Sequence, residues 1–276
     1  MTVINKKVRT MIVGAIIIGM TVSANFSTFA QQQNQQKYGD LSPEKRKEEN
    51  KVLLGLFEGL RVADVRDGMD WFGYHHYGSI DPKVRPLYRT HVVGIARTAR
   101  YLPYVGPAPL ERGEAYDKWQ GMYYDKICTY PWMSEIEDGD FMAIDVSGVD
   151  VGLMGSENTL RGVLKGCRGY VTNGGGIRDT DEVINQKVPV WSYFVSQSMD
   201  QARIQFDAKD IPIAIGGVTI FPGDVIVADG DGVIVVPRIV AKEVAKQAKT
   251  MISEDKATRR ALYEKLGWDL DKTVTD

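Results

Sequence analysis

The chain has 276 residues, 43% apolar and 25% charged, enough for one large domain or two small ones with a sizeable core. Its 34 basic and 36 acidic residues leave a formal charge of −2 with no basic block, which argues against charge-driven binding of nucleic acid. Cys128 and Cys167, about forty residues apart, make neither a disulfide framework nor a zinc-ligand spacing; they read as unpaired small hydrophobes, although an oxidising compartment would permit them to pair.

Residues 1–30 read as a secretory signal: Lys6, Lys7 and Arg9 precede the short apolar run "MIVGAIIIGM", and Thr28 and Ala30 suit a cleavage site. Thr21, Ser23 and Asn25 break the run before the about 20 apolar residues of a spanning helix. The mature protein is therefore expected outside the cytoplasm, periplasmic or secreted, with no stable membrane span. Cleavage would leave 31 basic against 36 acidic residues. Residues 31–42 form a Gln/Asn-rich polar linker, and a single domain, 43–276, starts near Pro43.

Mixed three and four spacings over 51–73 predict a helix, a break and a second short helix. Residues 91–104 read as strand, 111–127 as helix and 140–148 as a strand ending on Gly148. "GSENTLRGVLKGC" is helix-like, "RGYVTNGGG" is a strand entering a glycine turn, "DTDEVINQ" starts another helix, and 188–198 is a strand again. This β-α-β-α-β order is that of an α/β domain. Between 211 and 237 the Gly-Gly, Pro-Gly-Asp and Asp-Gly-Asp-Gly turns predict an appended antiparallel element, and residues 238–267 close the chain as a long helix.

The stretch "TNGGGIRDTDEV" has two readings. Asp179 followed by Glu182 fits an N-cap with a capping box, a purely structural role. Equally, glycines that let backbone approach a ligand, a helix N-terminus, the Arg178 guanidinium and the Asp179 carboxylate suit a small anion with a divalent metal. A second candidate, "GLMGSENTL" (152–160), is a loop entering a helix that places Ser156, Glu157 and Asn158 where free N–H groups could hold a carboxylate, or where they serve only as a cap. His75 and His76 are adjacent and project apart, and His91 stands alone, so all three read as structural or surface residues. Asp229 and Asp231 read as turn formers, and the aromatic cluster 119–133 as core.

Five segments in order, "VADVRDGM", "VRPLYRTHVVGIARTAR", "DGDFMAIDVSG", "GSENTLRGVLKGCRGYVTNGGGIRD" and "IPIAIGGVTIFPGDVIVADGDGVIVVP", resemble the RraA-like family over roughly 43–240. That family is named for the regulator of ribonuclease activity A and includes 4-hydroxy-4-methyl-2-oxoglutarate aldolases. The resemblance implies an α/β fold, a layered α/β/β/α sandwich with a mixed central sheet like the swivelling phosphohistidine domain, assembled as a homotrimer or homohexamer with sites between subunits. It also implies a metal-dependent class II aldolase acting on a small 2-oxo acid, releasing pyruvate and able to decarboxylate oxaloacetate.

Carried over by residue, Asp179 is the Mg²⁺ or Mn²⁺ ligand, Arg178 grips the 2-oxo acid, and Gly155, Ser156, Glu157 and Asn158 cradle its carboxylate. Two departures stand out: "NGGGIRD" has one glycine more than family members usually carry, and Ser156 occupies the position of an expected acid, for which the neighbouring Glu157 could substitute through its longer side chain. The alternative is a non-catalytic member that holds a ligand or partner; ribonuclease regulation would require a cytoplasmic address.

Overall fold

A computed structural model of the protein describes residues 38–109 and 111–275; the expected signal segment and most of the linker lie outside them. The chain divides into two compact units between Arg46 and Lys47, and the second holds everything below except the first turn of the first helix.

Helices α1 (Pro43–Phe57) and α2 (Val62–Trp71) bury Leu53, Leu54, Phe57, Val65 and Met69, as the mixed spacing predicts. After β1 (Arg85–Pro86) comes β2 (Val92–Pro103), then α3 (Glu114–Met122), which loosens into a π-helical turn over Tyr123–Ile127. The middle of the chain alternates β3 (Asp140–Asp145), α4 (Ser156–Leu164), β4 (Gly169–Asn173), α5 (Thr180–Asn185) and β5 (Val190–Ser192). Strands β6 (Ile204–Lys209), β7 (Ile213–Ile215), β8 (Val218–Ile220), β9 (Val225–Ala228) and β10 (Val233–Val236) precede the terminal helix α6 (Ala241–Leu266).

The result is a mixed α/β fold around a curled mixed sheet of order β1-β5-β4-β3-β2-β9-β10, with β6 also on β2. Strands β2, β3, β4 and β5 run parallel, so their carboxyl ends share one edge. The twelve-residue β2 pairs antiparallel with β9 through Val92–Ile95 and with β6 from Ala99, with a register shift at Arg100/Tyr101. One strand thus serves two neighbours on the same side, and the shift bends it. The inner strands are buried on both faces: Met142 and Ile144 pack with Tyr170, and Phe141 and Ala143 pack with Val171 and Trp191.

Three sequence expectations are corrected. The strand foreseen over 188–198 is only Val190–Ser192, because the chain leaves the sheet as an irregular segment after Ser192. Strand β6 was not anticipated; its burial is irregular, so alternation does not reveal it. The 211–237 region is not an appendage, since β9 and β10 belong to the main sheet and only β7 and β8 form their own ladder. Cys128 and Cys167 are both free and buried, and burial pushes the Cys167 thiol up to about 11. Among the described residues no helix is long and apolar enough to cross a membrane.

Candidate functional site

The parallel strands deliver two chain segments to the same edge of the sheet, where ligands of open α/β sheets characteristically bind. The first follows β3. Ser147 N–H donates to Asp145 Oδ1, turning the chain, and residues 151–155 run buried into α4. The second follows β4 through the triple glycine, with Gly174 and Gly176 at φ 77° and 64°, a region open to glycine at little cost. The two segments lock together as a parallel bridge between Met154 and Ile177. Met154 N–H donates to Gly176 O and Arg178 N–H to Met154 O, both at 2.9 Å.

Beyond this bridge Arg178 lies across Gly152 and Asp179 across Gly155. A Cβ at Gly152 would sit 2.7 Å from the Arg178 side chain, and one at Gly155 would sit 2.4 Å from Asp179 Oδ2. The spacing Gly152-x-x-Gly155 is therefore the space that the Arg-Asp pair fills. Asp179 Oδ2 accepts the Ser156 N–H at 3.3 Å, so the carboxylate sits at the positive end of α4.

This placement corrects the capping reading. Asp179 does precede α5, but in the left-handed conformation (φ 55°, ψ 43°), and its side chain makes no cap bond to that helix. A left-handed non-glycine residue costs on the order of 1–3 kcal/mol, the kind of strain that collects at functional sites. The carboxylate crosses to α4 instead.

The remaining groups define what the arrangement can hold. Arg178 and Asp179 side chains are about one third exposed, with Nε to Oδ1 at 3.6 Å. Among the described residues neither terminal nitrogen of Arg178 has a hydrogen-bond or ion-pair partner, leaving its fork free for an anion. The first full helical bond of α4 runs from Thr159 N–H to Gly155 O, so the N–H groups of Glu157 and Asn158 have no helical acceptor behind them. Asn158 Nδ2 reaches Leu153 O at 3.5 Å. Glu157 is exposed and pairs with Arg161 one turn along, at 2.6 Å.

The structure thus brings Gly155, Ser156, Arg178 and Asp179 together, keeps Asn158 at the rim, and engages the Glu157 carboxylate elsewhere. The residues fit a hard divalent cation held by a single carboxylate. Asp179 Oδ1 carries only the 3.6 Å approach of Arg178 Nε, and Mg²⁺ commonly takes one or two carboxylates and fills its shell with water and substrate oxygens. No group of three His, Cys, Asp or Glu gathers among the described residues.

Other candidates are structural. His91 Nε2 contacts Leu60 O at 2.7 Å, Asp229 accepts the N–H groups of Val62 and Asp231, and Tyr123 and Trp132 are core. Gly152 opens the second candidate stretch of the sequence, which gives it no role of its own, and the 196–200 segment is missed altogether. Ser196 N–H donates to Ile177 O at 3.0 Å, and Ser198 O accepts from Gly152 N–H at 2.9 Å. An open depression of about 700 Å³, lined by Lys83, Asn173, Gly174, Tyr193 and Phe194 among others, adjoins the glycine turn but does not include Arg178 or Asp179.

A family model described as RraA-like, Aldolase/RraA, matches residues 62–235. A protein of Halalkalibacterium halodurans, provisionally named a 4-hydroxy-4-methyl-2-oxoglutarate aldolase, is 30% identical over 142 residues, 51% of this chain and 66% of that protein. Protein DlpA of Legionella pneumophila is 26% identical over 197 residues, 71% of this chain and 29% of DlpA. The chain thus spans just under two thirds of the first and less than a third of the second. Among solved structures, Streptomyces coelicolor RraAS2, described as an unusual member of the RNase ES inhibitor RraA protein family, matches with a TM-score of 0.60 and 26% identity over 75% of this chain and 96% of its own. An uncharacterized protein from Pseudomonas syringae pv. tomato matches with a TM-score of 0.63 and 27% identity over 82% and 98%.

Proposed function

The chain belongs to the RraA-like (Aldolase/RraA) family, and from that premise we propose that it is a divalent-cation-dependent lyase cleaving a 4-hydroxy-2-oxo acid to pyruvate, with oxaloacetate decarboxylation open to the same site. The observation that carries this reading is the free Arg178 fork, for which Gly152 leaves room, beside an Asp179 carboxylate pressed against the start of α4 over Gly155.

In this reading the N–H groups of Glu157 and Asn158 hold the substrate carboxylate at the positive end of α4, beside the Gly155–Ser156 turn whose Ser156 N–H is taken by Asp179. Asp179 would hold Mg²⁺ or Mn²⁺, which when bound polarises the 2-oxo group. As the 4-hydroxyl loses its proton, the C3–C4 bond breaks, a carbonyl forms at C4, and the electron pair passes to the former keto oxygen. Arg178 donates to that oxygen and stabilises the charge as it develops. A proton delivered to C3 completes pyruvate. Glu157 is the acid on this helix turn nearest the cradle in sequence, and to act it must exchange Arg161 for substrate. The test is pyruvate release from a panel of 4-hydroxy-2-oxo acids and oxaloacetate with saturating Mg²⁺ or Mn²⁺; no release from any of them defeats the proposal.

The Glu157–Arg161 pair and the serine at 156 favour a second reading, a binding member without turnover. Calorimetry separates the two, because pyruvate or oxalate bound tightly without cleavage supports the second.

Assembly and address belong to the same proposal. The site is open on one side, and α4 presents Leu160, Val163 and Leu164 to solvent, with Ile184 of α5 also exposed. This apolar face supports closure by a second copy in a homotrimer or homohexamer, read by light scattering. Export predicts a mature chain beginning at Gln31, read by terminal sequencing of protein from the cell envelope or medium.

A further inference from the structure

The segment between β5 and β6 touches both halves of the site. Ser196, 2% exposed, donates its N–H to Ile177 O, immediately before Arg178, and Ser198 O accepts from Gly152, at the foot of the cradle. A second bond, Ser198 N–H to Ser196 Oγ at 3.0 Å, stiffens the stretch between these anchors. One short piece of chain therefore braces the α4 limb and the Arg178–Asp179 limb from one side, beside the Met154–Ile177 bridge that joins them directly.

The far end of that piece is Asp200, whose side chain does not face the site. It is 5% exposed and has no ion-pair partner among the described residues. Its carboxylate is held by neutral donors: Tyr124 Oη at 2.9 Å on Oδ1, and Tyr130 Oη at 2.6 Å and Cys128 Sγ at 3.5 Å on Oδ2. Tyr123 Oη adds a bond to the Asp200 carbonyl. Burial, then the Asp200 charge, pushes Tyr124, Tyr130 and Cys128 up, which keeps each protonated as a donor. Tyr130 Oη also lies 3.2 Å from Leu153 O, inside the cradle segment. Tyr124 makes no such contact.

A buried carboxylate without a cation is costly, and an amide of the same shape would set its N–H₂ against hydroxyl donors. The position therefore calls for an acceptor on both oxygens. We infer that Asp200 is a positioning residue for the 2-oxo-acid site: clasped by Tyr124, Tyr130 and Cys128, it anchors the 196–200 segment that braces the Gly152–Asn158 limb against Arg178 and Asp179. The inference rests on the proposed function for its ligand, though not for its geometry.

Tyr130→Phe and Tyr124→Phe test it in the full-length protein, since each removes one hydroxyl from Asp200 and only the first reaches the cradle. Oxalate binding in the presence of Mn²⁺ is expected to weaken about tenfold in Tyr130→Phe and in Asp200→Asn, and KM to rise with kcat within about twofold. Tyr124→Phe is expected to stay within about twofold while its melting temperature falls about as far as that of Tyr130→Phe. Equal affinities in the two phenylalanine variants would overturn the assignment. Amide exchange at Gly152 and Arg178 gives a ligand-free readout, accelerated in Tyr130→Phe relative to Tyr124→Phe. Wild-type protein that binds no oxalate defeats the lyase reading alone, and unchanged exchange at both amides defeats the positioning role alone.

Discussion

Gly155→Ala separates the site from the stability of the fold. At φ −111° an alanine is conformationally allowed, and replacing glycine lowers the entropy of the unfolded chain by the equivalent of about 0.4–1 kcal/mol. Against this, alanine is a poorer N-cap than glycine by a few tenths to about 1 kcal/mol, so net stability should change little. Function should not follow. The new Cβ would lie 2.4 Å from Asp179 Oδ2, and ordinary contact begins at 3.4 Å, so the carboxylate must retreat by about 1 Å. That retreat breaks its bond to Ser156 N–H and moves the carboxylate proposed to hold the cation relative to the cradle. Misplacement on this scale can cost about 10²-fold in rate. The assay is kcat/KM for pyruvate release alongside a thermal melt and Mn²⁺ titration. A variant that melts within a few degrees of wild type and keeps kcat/KM within about threefold would refute the claim that Gly155 exists to admit Asp179.

The other predictions address the chemistry and the core. Arg178→Lys keeps the charge and loses the fork, and should lower kcat/KM about 10²–10³-fold in the pyruvate assay. Glu157→Gln should lower kcat about 10²-fold or more with oxalate affinity retained if Glu157 is the acid-base group, whereas unchanged kcat removes it from the reaction. The buried carboxyls of Asp224 and Asp140 are raised by burial to about 7 and about 6, partly offset by backbone N–H groups and by Arg238 and Arg97. The folded chain thus holds protons that the unfolded chain has released, so their stabilising effect is complete below about pH 3.8 and is lost as pH rises through 6 to 7. Urea melts from pH 5 to pH 8 should lose a few kcal/mol, and Asp224→Asn should flatten that slope; an unchanged slope contradicts the assignment.

What the sequence made legible was local. The Arg178–Asp179 pair stands out because glycines, a guanidinium and a carboxylate fall within a few residues, and the alternation of elements from β3 to β5 follows from apolar runs separated by helix starts. The capping-box pattern at Asp179 and Glu182 was equally local and did not form, because the residue takes a left-handed backbone instead of the extended one an N-cap uses. What decides the difference is a contact across 23 residues, from Asp179 Oδ2 to Ser156 N–H. Asp200 lay deeper still. Its three donors come from residues 70 to 76 positions earlier, and no periodicity marks an aspartate that faces tyrosines. The same holds for β6, which exists because the second half of β2 offers it a partner.

The glycine that the family resemblance counts as extra can be located on the same grounds. Gly174 and Gly176 both have positive φ, and Gly175 is hemmed in by Val151 O and Ser196 Cβ at 2.9 and 3.0 Å from where its Cβ would be, so the whole turn is shaped for glycine. Downstream, the bridge between Met154 and Ile177 and the bond from Arg178 N–H to Met154 O fix the register of the Arg-Asp pair against the cradle. An added residue is therefore absorbed in the turn before that bridge, and Arg178 and Asp179 keep their places over Gly152 and Gly155. The serine at 156 has no such buffer. It sits on the first turn of α4 with its backbone already committed to Asp179, so a missing acid there can be replaced only by another side chain reaching in, and Glu157 must first release Arg161. In the proposed lyase the binding geometry is thus held by the fold, while the step that needs a base would depend on one exposed ion pair of the kind worth about 0.3–0.5 kcal/mol, well within reach of a bound substrate to displace.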